Sequence, residues 1–273
     1  MPGPFRYLIL QISKSIRKNG RNKVADKEGK YIYCIIETDK PESFGNIGIG
    51  DRGDDVYTVC YKNIAAVMSN CPVKNYRVSR ENMMPHEKAI EEAMKTHTVL
   101  PVKFCTITES DKTMEDILIR EYDRFNNMLK SMKGKKELGI KAVFKEDVIY
   151  KHIIEKYEEI ASFKKNIASR PPEKTHFQKA KIGEMVENAL KNEKKLYRKR
   201  ILNTLSPLSE ETKTNKKYGE RMILNAAFLV NEEKEEEFDK SVNTLDTEYE
   251  ELIKFKFVGT VPPFNFVNLV IKI

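Results

Sequence analysis

SRENMMPHEKAIEEAMKTHTVLPVKFCTI (79–107) holds the change of spacing on which the fold reading rests. Ser79 is a residue type that caps helices, and Pro85 restarts the helix at a first-turn position. Ala89, Ile90, Ala93, Met94 and His97 then recur at helical intervals, which marks an inward face. The spacing changes at VLPVKF (99–104), an apolar run that reads as a buried strand. The His86-Glu87 pair invites a zinc reading, because H-E-x-x-H places two imidazoles on one helix face. Here Ile90 occupies the second histidine position. His97 lies eleven residues beyond His86, about 16 Å by helix rise. One metal cannot take both, so His86 is left for a structural hydrogen bond or a partner contact. Glu87 suits the positive end of the helix dipole.

On the N-terminal side, YIYCIIE (31–37) reads as a buried strand, being β-branched and aromatic throughout. KPESFGNIGIGDRGDD (40–55) is rich in glycine, but no Gly-Lys-Ser/Thr follows and a strand comes next. It reads as a turn-rich surface loop and not a phosphate cradle. VYTVC (56–60) and IAAVMS (64–69) form a hairpin joined by Tyr61-Lys62-Asn63. Residues 113–132 predict one amphipathic helix with Met114, Ile117, Leu118, Tyr122, Phe125, Met128, Leu129 and Met132 inward. Gly134 marks its stop and a domain boundary. Residues 1–30 place Phe5, Leu8, Ile9, Ile12 and Ile16 on one face among basic residues. That pattern fits an amphipathic helix lying on a membrane or a partner, or else a short strand or frayed extension. The basic residues and cleavage site of a signal peptide are not in the required order.

Beyond 134, ELGIKAVF (137–144) reads as a strand. Helical stretches follow at 146–166 and 174–205, separated by Pro171-Pro172, and 208–217 reads as a short extra helix. RMILNAAFLV (221–230) is a strand and 232–252 a helix. FKFVG (255–259) and FVNLVIKI (266–273) are strands flanking VPPF. The chain is therefore expected to be α+β with two domains: an N-terminal α/β domain over 31–134 and, over 135–273, a modified ferredoxin-like α/β sandwich with inserted helices.

Composition narrows the chemistry. The 273 residues carry a formal charge of +8, which suits a partner of opposite charge. The charge is patchy, with KNEKKLYRKR (191–200) basic and EEKEEEFDK (232–240) acidic, and no zinc-finger, RNP or helix-turn-helix pattern accompanies it. Nucleic acid is not expected as a partner, although a basic nucleic-acid-binding module is the alternative that pI about 9.0 keeps open. No apolar run is long enough to span a bilayer. Cys34, Cys60, Cys71 and Cys105 lack C-x-x-C spacing and read as buried free thiols of a reducing compartment. There is no G-x-S-x-G, and Cys105 has no local histidine partner. No catalytic, metal or cofactor residue is assigned. An enzyme whose site is dispersed over His86, Glu87 and Cys105 is the remaining alternative.

YIYCII, IAAVMS, SRENMMPHE and VLPVKFCT occur in the order shown by the gas vesicle GvpF/GvpL family, and GTVPPFNFV (259–267) is similar to that family's C-terminal signature. The resemblance covers about 31–273. Cys105 stands where the family has Gly, Lys103 where it has Arg, Thr260 where it has Pro, and Phe264 where it has Tyr. The resemblance implies a non-catalytic accessory or minor structural protein of gas vesicle assembly. It implies a cytoplasmic location associated with gas vesicles, and no cofactor. The implied partners are the hydrophobic main shell protein and other accessory proteins. The residues expected to bind a partner or hold the scaffold are Ser79, Arg80, Glu81, His86, Glu87, Leu100, Pro101, Lys103, Phe104, Pro262, Pro263, Phe264 and Phe266.

Overall fold

The computed structural model describes residues 27–168 and 175–271. The expectations for residues 1–26, for the Pro171-Pro172 break and for the last two residues lie outside that range.

Two antiparallel sheets organise the chain. The first is built on β1 (Glu28–Ile36), whose residues from Tyr31 to Ile36 are fully buried. Burial on both faces explains why the run has no polar alternation. β2 (Ser43–Gly45), β3 (Val56–Tyr61), β4 (Ile64–Pro72) and β5 (Val99–Pro101) join it in the order β2-β3-β4-β1-β5. β6 (Ile107–Thr108) pairs further along the same edge of β1. Tyr61 faces Ile64, so the hairpin loop is Lys62-Asn63, with Lys62 in the left-handed region at φ 51°. The glycine-rich loop is more than surface turn. It supplies β2, and its Ile49 is buried.

Helices cover both faces of this sheet. α1 (Arg80–Met94) packs on the face of Tyr31, Tyr33 and Val67 through Ala89, Ile90 and Ala93. It runs straight through Pro85, so the proline does not restart it, and Glu87 lies two turns in. Only the Glu81 carbonyl loses its usual donor, close to the helix start, where water reaches it. Ser79 holds the N-cap position without a side-chain cap; its Oγ donates to the Glu81 carboxylate at 3.2 Å. The opposite face takes α2 (Asp111–Arg120) and α3 (Tyr122–Met132), with Met114, Leu118, Phe125 and Leu129 buried against Ile32, Ile35 and Met68. The single helix expected over 113–132 is thus two, broken at Glu121 (φ −102°, ψ 11°). Ser110 caps the first, accepting from the Thr113 amide at 3.1 Å.

The second sheet comprises β7 (Lys135–Phe144), β8 (Glu211–Thr214), β9 (Met222–Asn231) and β10 (Ile253–Val261), ordered β10-β7-β9-β8. Between β7 and β8 run α4 (Glu146–Lys156), α5 (Glu158–Ala168) and α6 (His176–Leu205); α7 (Glu235–Tyr249) joins β9 to β10. Counting only these strands, the spatial order is 4-1-3-2, the split β-α-β of a ferredoxin-like sheet. Two expectations fail here. Residues 211–214 form the second strand where a short helix was expected; the stretch is too short and polar to show a strand period. Residues 266–271 form no strand of this sheet. Among the described ones, a lone parallel bridge from Leu269 to Val102 ties this tail to the first sheet. One face of the second sheet is closed by Ile149, Ile153, Ile201, Leu205, Phe238 and Leu245 over Leu138, Ile140, Phe144 and Phe228.

Candidate functional site

Tyr31 stands at the centre of the region singled out by sequence. Its ring meets His86 at 5.7 Å and Phe104 at 6.3 Å between centroids, both nearly edge to face, and His86 meets Phe104 at 5.4 Å. The Cys105 amide donates to Tyr31 Oη at 2.8 Å. Tyr31 Oη also hydrogen-bonds His86 Nδ1 at 3.2 Å, the tautomer of the imidazole setting which of the two donates. Burial holds His86 neutral, with its pKa down at about 4. The same desolvation pushes the Tyr31 hydroxyl well above its ordinary value, with the Cys105 amide acting in the opposite direction. Tyr33 beside it accepts the Ile49 amide at 2.6 Å and bonds Ser69 Oγ at 2.8 Å.

Cys105 closes this cluster with φ at 64°, a conformation that costs a residue with a Cβ and favours glycine. Of the four positions where the sequence departs from the family it resembles, Cys105 is the one with a positive φ. Its thiol and that of Cys60 are half-buried, and only Cys34 and Cys71 are fully buried.

The C-terminal turn reaches the same region from the second sheet. Pro262 and Pro263 are buried, and the Phe266 and Val267 amides both donate to the Pro263 carbonyl, at 3.1 and 2.8 Å. Phe264 packs against the core cluster that contains Tyr31 and Tyr33, whereas Val267 and Leu269 pack on the other face of the first sheet. The tail thus wraps the β5 edge. Its anchor on the second sheet is Glu137 of β7, whose carboxylate accepts the Asn265 backbone amide at 2.8 Å and the Asn265 side-chain amide. Glu137 is buried, and burial raises its pKa to about 7 against the pull of the two Asn265 bonds and the Lys213 charge. Lys213 Nζ donates to the Asn265 carbonyl at 3.0 Å and lies 5.2 Å from the Phe266 ring centre. A cleft of about 320 Å3, lined among others by His97, Met132, Lys136 and Pro263, separates the sheets beside this turn.

The singled-out residues therefore divide by environment. His86, Leu100, Pro101, Pro262 and Pro263 are buried; Phe104, Phe264 and Phe266 are half-buried; Arg80, Glu81 and Lys103 are exposed, with Ser79 and Glu87 between. His97, eleven residues from His86, takes a different partner, Glu42, at 2.9 Å. Sequence reading missed Tyr31, Glu137 and Asn265. An acidic residue inside an apolar strand was the available signal for Glu137.

The family model described as "Gas vesicle synthesis protein GvpL/GvpF" matches residues 29–268. Gas vesicle protein F of Dolichospermum flosaquae is 24% identical, covering 88% of this chain and 97% of its own. Gas vesicle protein F1 of Halobacterium salinarum is 26% identical over 89% of this chain and 94% of its own. The crystal structure of the gas vesicle protein GvpF from Anabaena sp. PCC7120 superimposes with a TM-score of 0.75 at 21% identity, covering 89% of this chain and 99% of that one.

Proposed function

We propose, from the premise that this chain belongs to the gas vesicle GvpL/GvpF family, that it is a non-catalytic accessory or minor structural protein of gas vesicle assembly. In this reading it works in the cytoplasm at the vesicle, and it binds the hydrophobic main shell protein and other accessory proteins. Among the described residues no helix is long and apolar enough to cross a membrane. The observation that carries the reading is the extent of the family match, 29–268, which takes in both sheets and the turn that joins them. An unassembled shell subunit exposes a large apolar patch, and a folded partner that covers it suppresses aggregation.

The two sheets act as two domains divided near Gly134, held together by the C-terminal turn. The buried residues around Tyr31 and Glu137 maintain that arrangement. The surface offered to a partner is the approach to α1, where Val78 and Met84 expose 50% and 54% of their area beside Ser79, Arg80 and Glu81. Deleting the gene from its vesicle cluster should abolish or deform the vesicles. Normal, floating vesicles in a strain without a second copy of this gene contradict the reading.

A further inference from the structure

The second sheet is covered by helices on one face, and its other face carries lysines. Lys256 of β10 stands directly opposite Lys141 of β7, and Lys254 lies one pleat along the same face, opposite Val143. Like charges opposed across a strand pair are destabilising, and Lys254 and Lys256 are exposed. None of the three has an ion-pair partner among the described residues. The floor beside them is low where Gly139 stands opposite Val258; farther across the same face Ala227, Leu229 and Glu137 are buried.

Behind the same strands, on the covered face, lies α7, which touches both β9 and β10. Its buried stripe of Phe238, Val242 and Leu245 faces the sheet. Its solvent side exposes Glu236, Glu237, Asp246 and Glu248. Of these only Glu236 is ion-paired among the described residues, to exposed Lys240 at 2.7 Å. The two layers therefore present opposite charge on opposite outer surfaces, and within one chain these surfaces cannot meet.

We propose that the chain self-associates head to tail, the acidic outer face of α7 in one copy docking on the lysine-bearing sheet face of the next. Such a contact completes a helix-sheet-helix sandwich with layers about 10 Å apart. It relieves the Lys141–Lys256 repulsion without requiring any change within either copy. It joins two different surfaces, so it propagates into a linear array and does not close on itself as a two-fold dimer does. An acidic helix of another protein is the competing occupant; salt screens the attraction between the two faces, which confines self-association to low ionic strength.

Sedimentation velocity on the full chain tests this across protein concentration, at low and high salt. The expected result is a mass that rises with concentration at low salt and returns to a single chain at high salt. Lys141→Glu/Lys256→Glu and Glu237→Lys/Glu248→Lys should each weaken association by about tenfold or more, because each turns attraction into repulsion. Mixing the two double variants should restore it, since every contact in the mixture again joins opposite charges. All four substitutions are at positions outside the core, and circular dichroism verifies the fold. A single-chain mass at every concentration in low salt overturns the proposal. So does self-association that survives both reversals, or a mixture that stays monomeric.

Discussion

Tyr31 Oη lies 3.2 Å from His86 Nδ1, so the first strand and the first helix are joined by a polar contact inside an apolar core. Burial of the ring favours the neutral imidazole. The folded-state pKa of His86 is about 4 against an ordinary 6.5, so folding disfavours the proton. Its contribution is fully present above pH 6.5 and is lost as pH falls toward 4. A gap of that size corresponds to about 3 kcal/mol. Urea unfolding of the native chain and of His86→Gln should therefore converge as pH falls through this window; parallel curves contradict the assignment.

Tyr31→Phe leaves the Cys105 amide without its acceptor and His86 Nδ1 without its partner. Loss of a buried partner costs about 1–3 kcal/mol for each group stranded. Tyr33→Phe similarly strands the Ile49 amide. Tyr33→Phe also removes a partner of Ser69 Oγ, but that hydroxyl keeps the Asn70 carbonyl at 3.2 Å. Both variants should lower the urea midpoint, Tyr31→Phe by more, because the Cys105 amide and His86 Nδ1 have no other partner among the described residues.

Glu137 titrates in the opposite sense. Its pKa is raised to about 7 from 4.5, so folding favours the protonated form. Relative stability is greatest below pH 4.5 and declines as pH rises through 7. The Glu137→Gln variant lacks that slope, and its Asn265 partner can turn its amide to accept from the new NH2. Measured at about pH 5 and about pH 8, the variant should gain on the native chain by about 2–3 kcal/mol at the higher pH. A constant difference between the two contradicts a buried, titrating Glu137.

Cys105→Gly removes a Cβ from a left-handed residue with φ at 64°. Relief of that strain is worth about 1 kcal/mol, offset in part by lost packing of a half-buried thiol. The variant is expected to melt slightly higher than the native chain. A marked fall in Tm means the thiol packing outweighs the strain.

Glu193 on α6 is buried, with 2% of its side chain exposed, and accepts from Lys156 at 2.8 Å and Tyr157 Oη at 2.8 Å. Burial works to raise its pKa, but the Lys156 and Tyr157 bonds outweigh this and leave the carboxyl below its ordinary value. This cluster sits where α4 gives way to α5 and ties that break to α6. Lys156→Met leaves the buried Glu193 carboxylate without its cation and should destabilise by about 3 kcal/mol. Glu193→Leu strands the Tyr157 hydroxyl, but Lys156, 43% exposed, turns to water, so this variant should cost less; equal losses contradict the account.

The parts of the fold legible in sequence were those with a strong period or a uniform burial. β1 is apolar from Tyr31 to Ile36 because both its faces are covered there, and α7 shows its stripe at Phe238, Val242 and Leu245. β8 was not legible, since ETKT has no alternation and pairs only because β9 offers an edge. The tail misled for the opposite reason. Val267 and Leu269 are buried, as a strand would require, but across the β5 edge of the other sheet, through a turn set by Pro262 and Pro263. At the candidate site, His86, Phe104 and Phe264 stood out as motif residues, yet Tyr31 and Asn265 make their key contacts across 74 and 128 positions, a separation that spacing does not register.

The central claim is that this chain covers the hydrophobic shell protein through an exposed apolar surface beside Ser79–Glu81. Co-expression with the main gas vesicle shell protein, followed by pull-down and a solubility assay, tests it most directly. The account predicts that the shell protein is retained and held soluble, and that Val78→Glu/Met84→Glu releases it while the chain stays folded. A shell protein that precipitates alone beside the folded native chain contradicts the account.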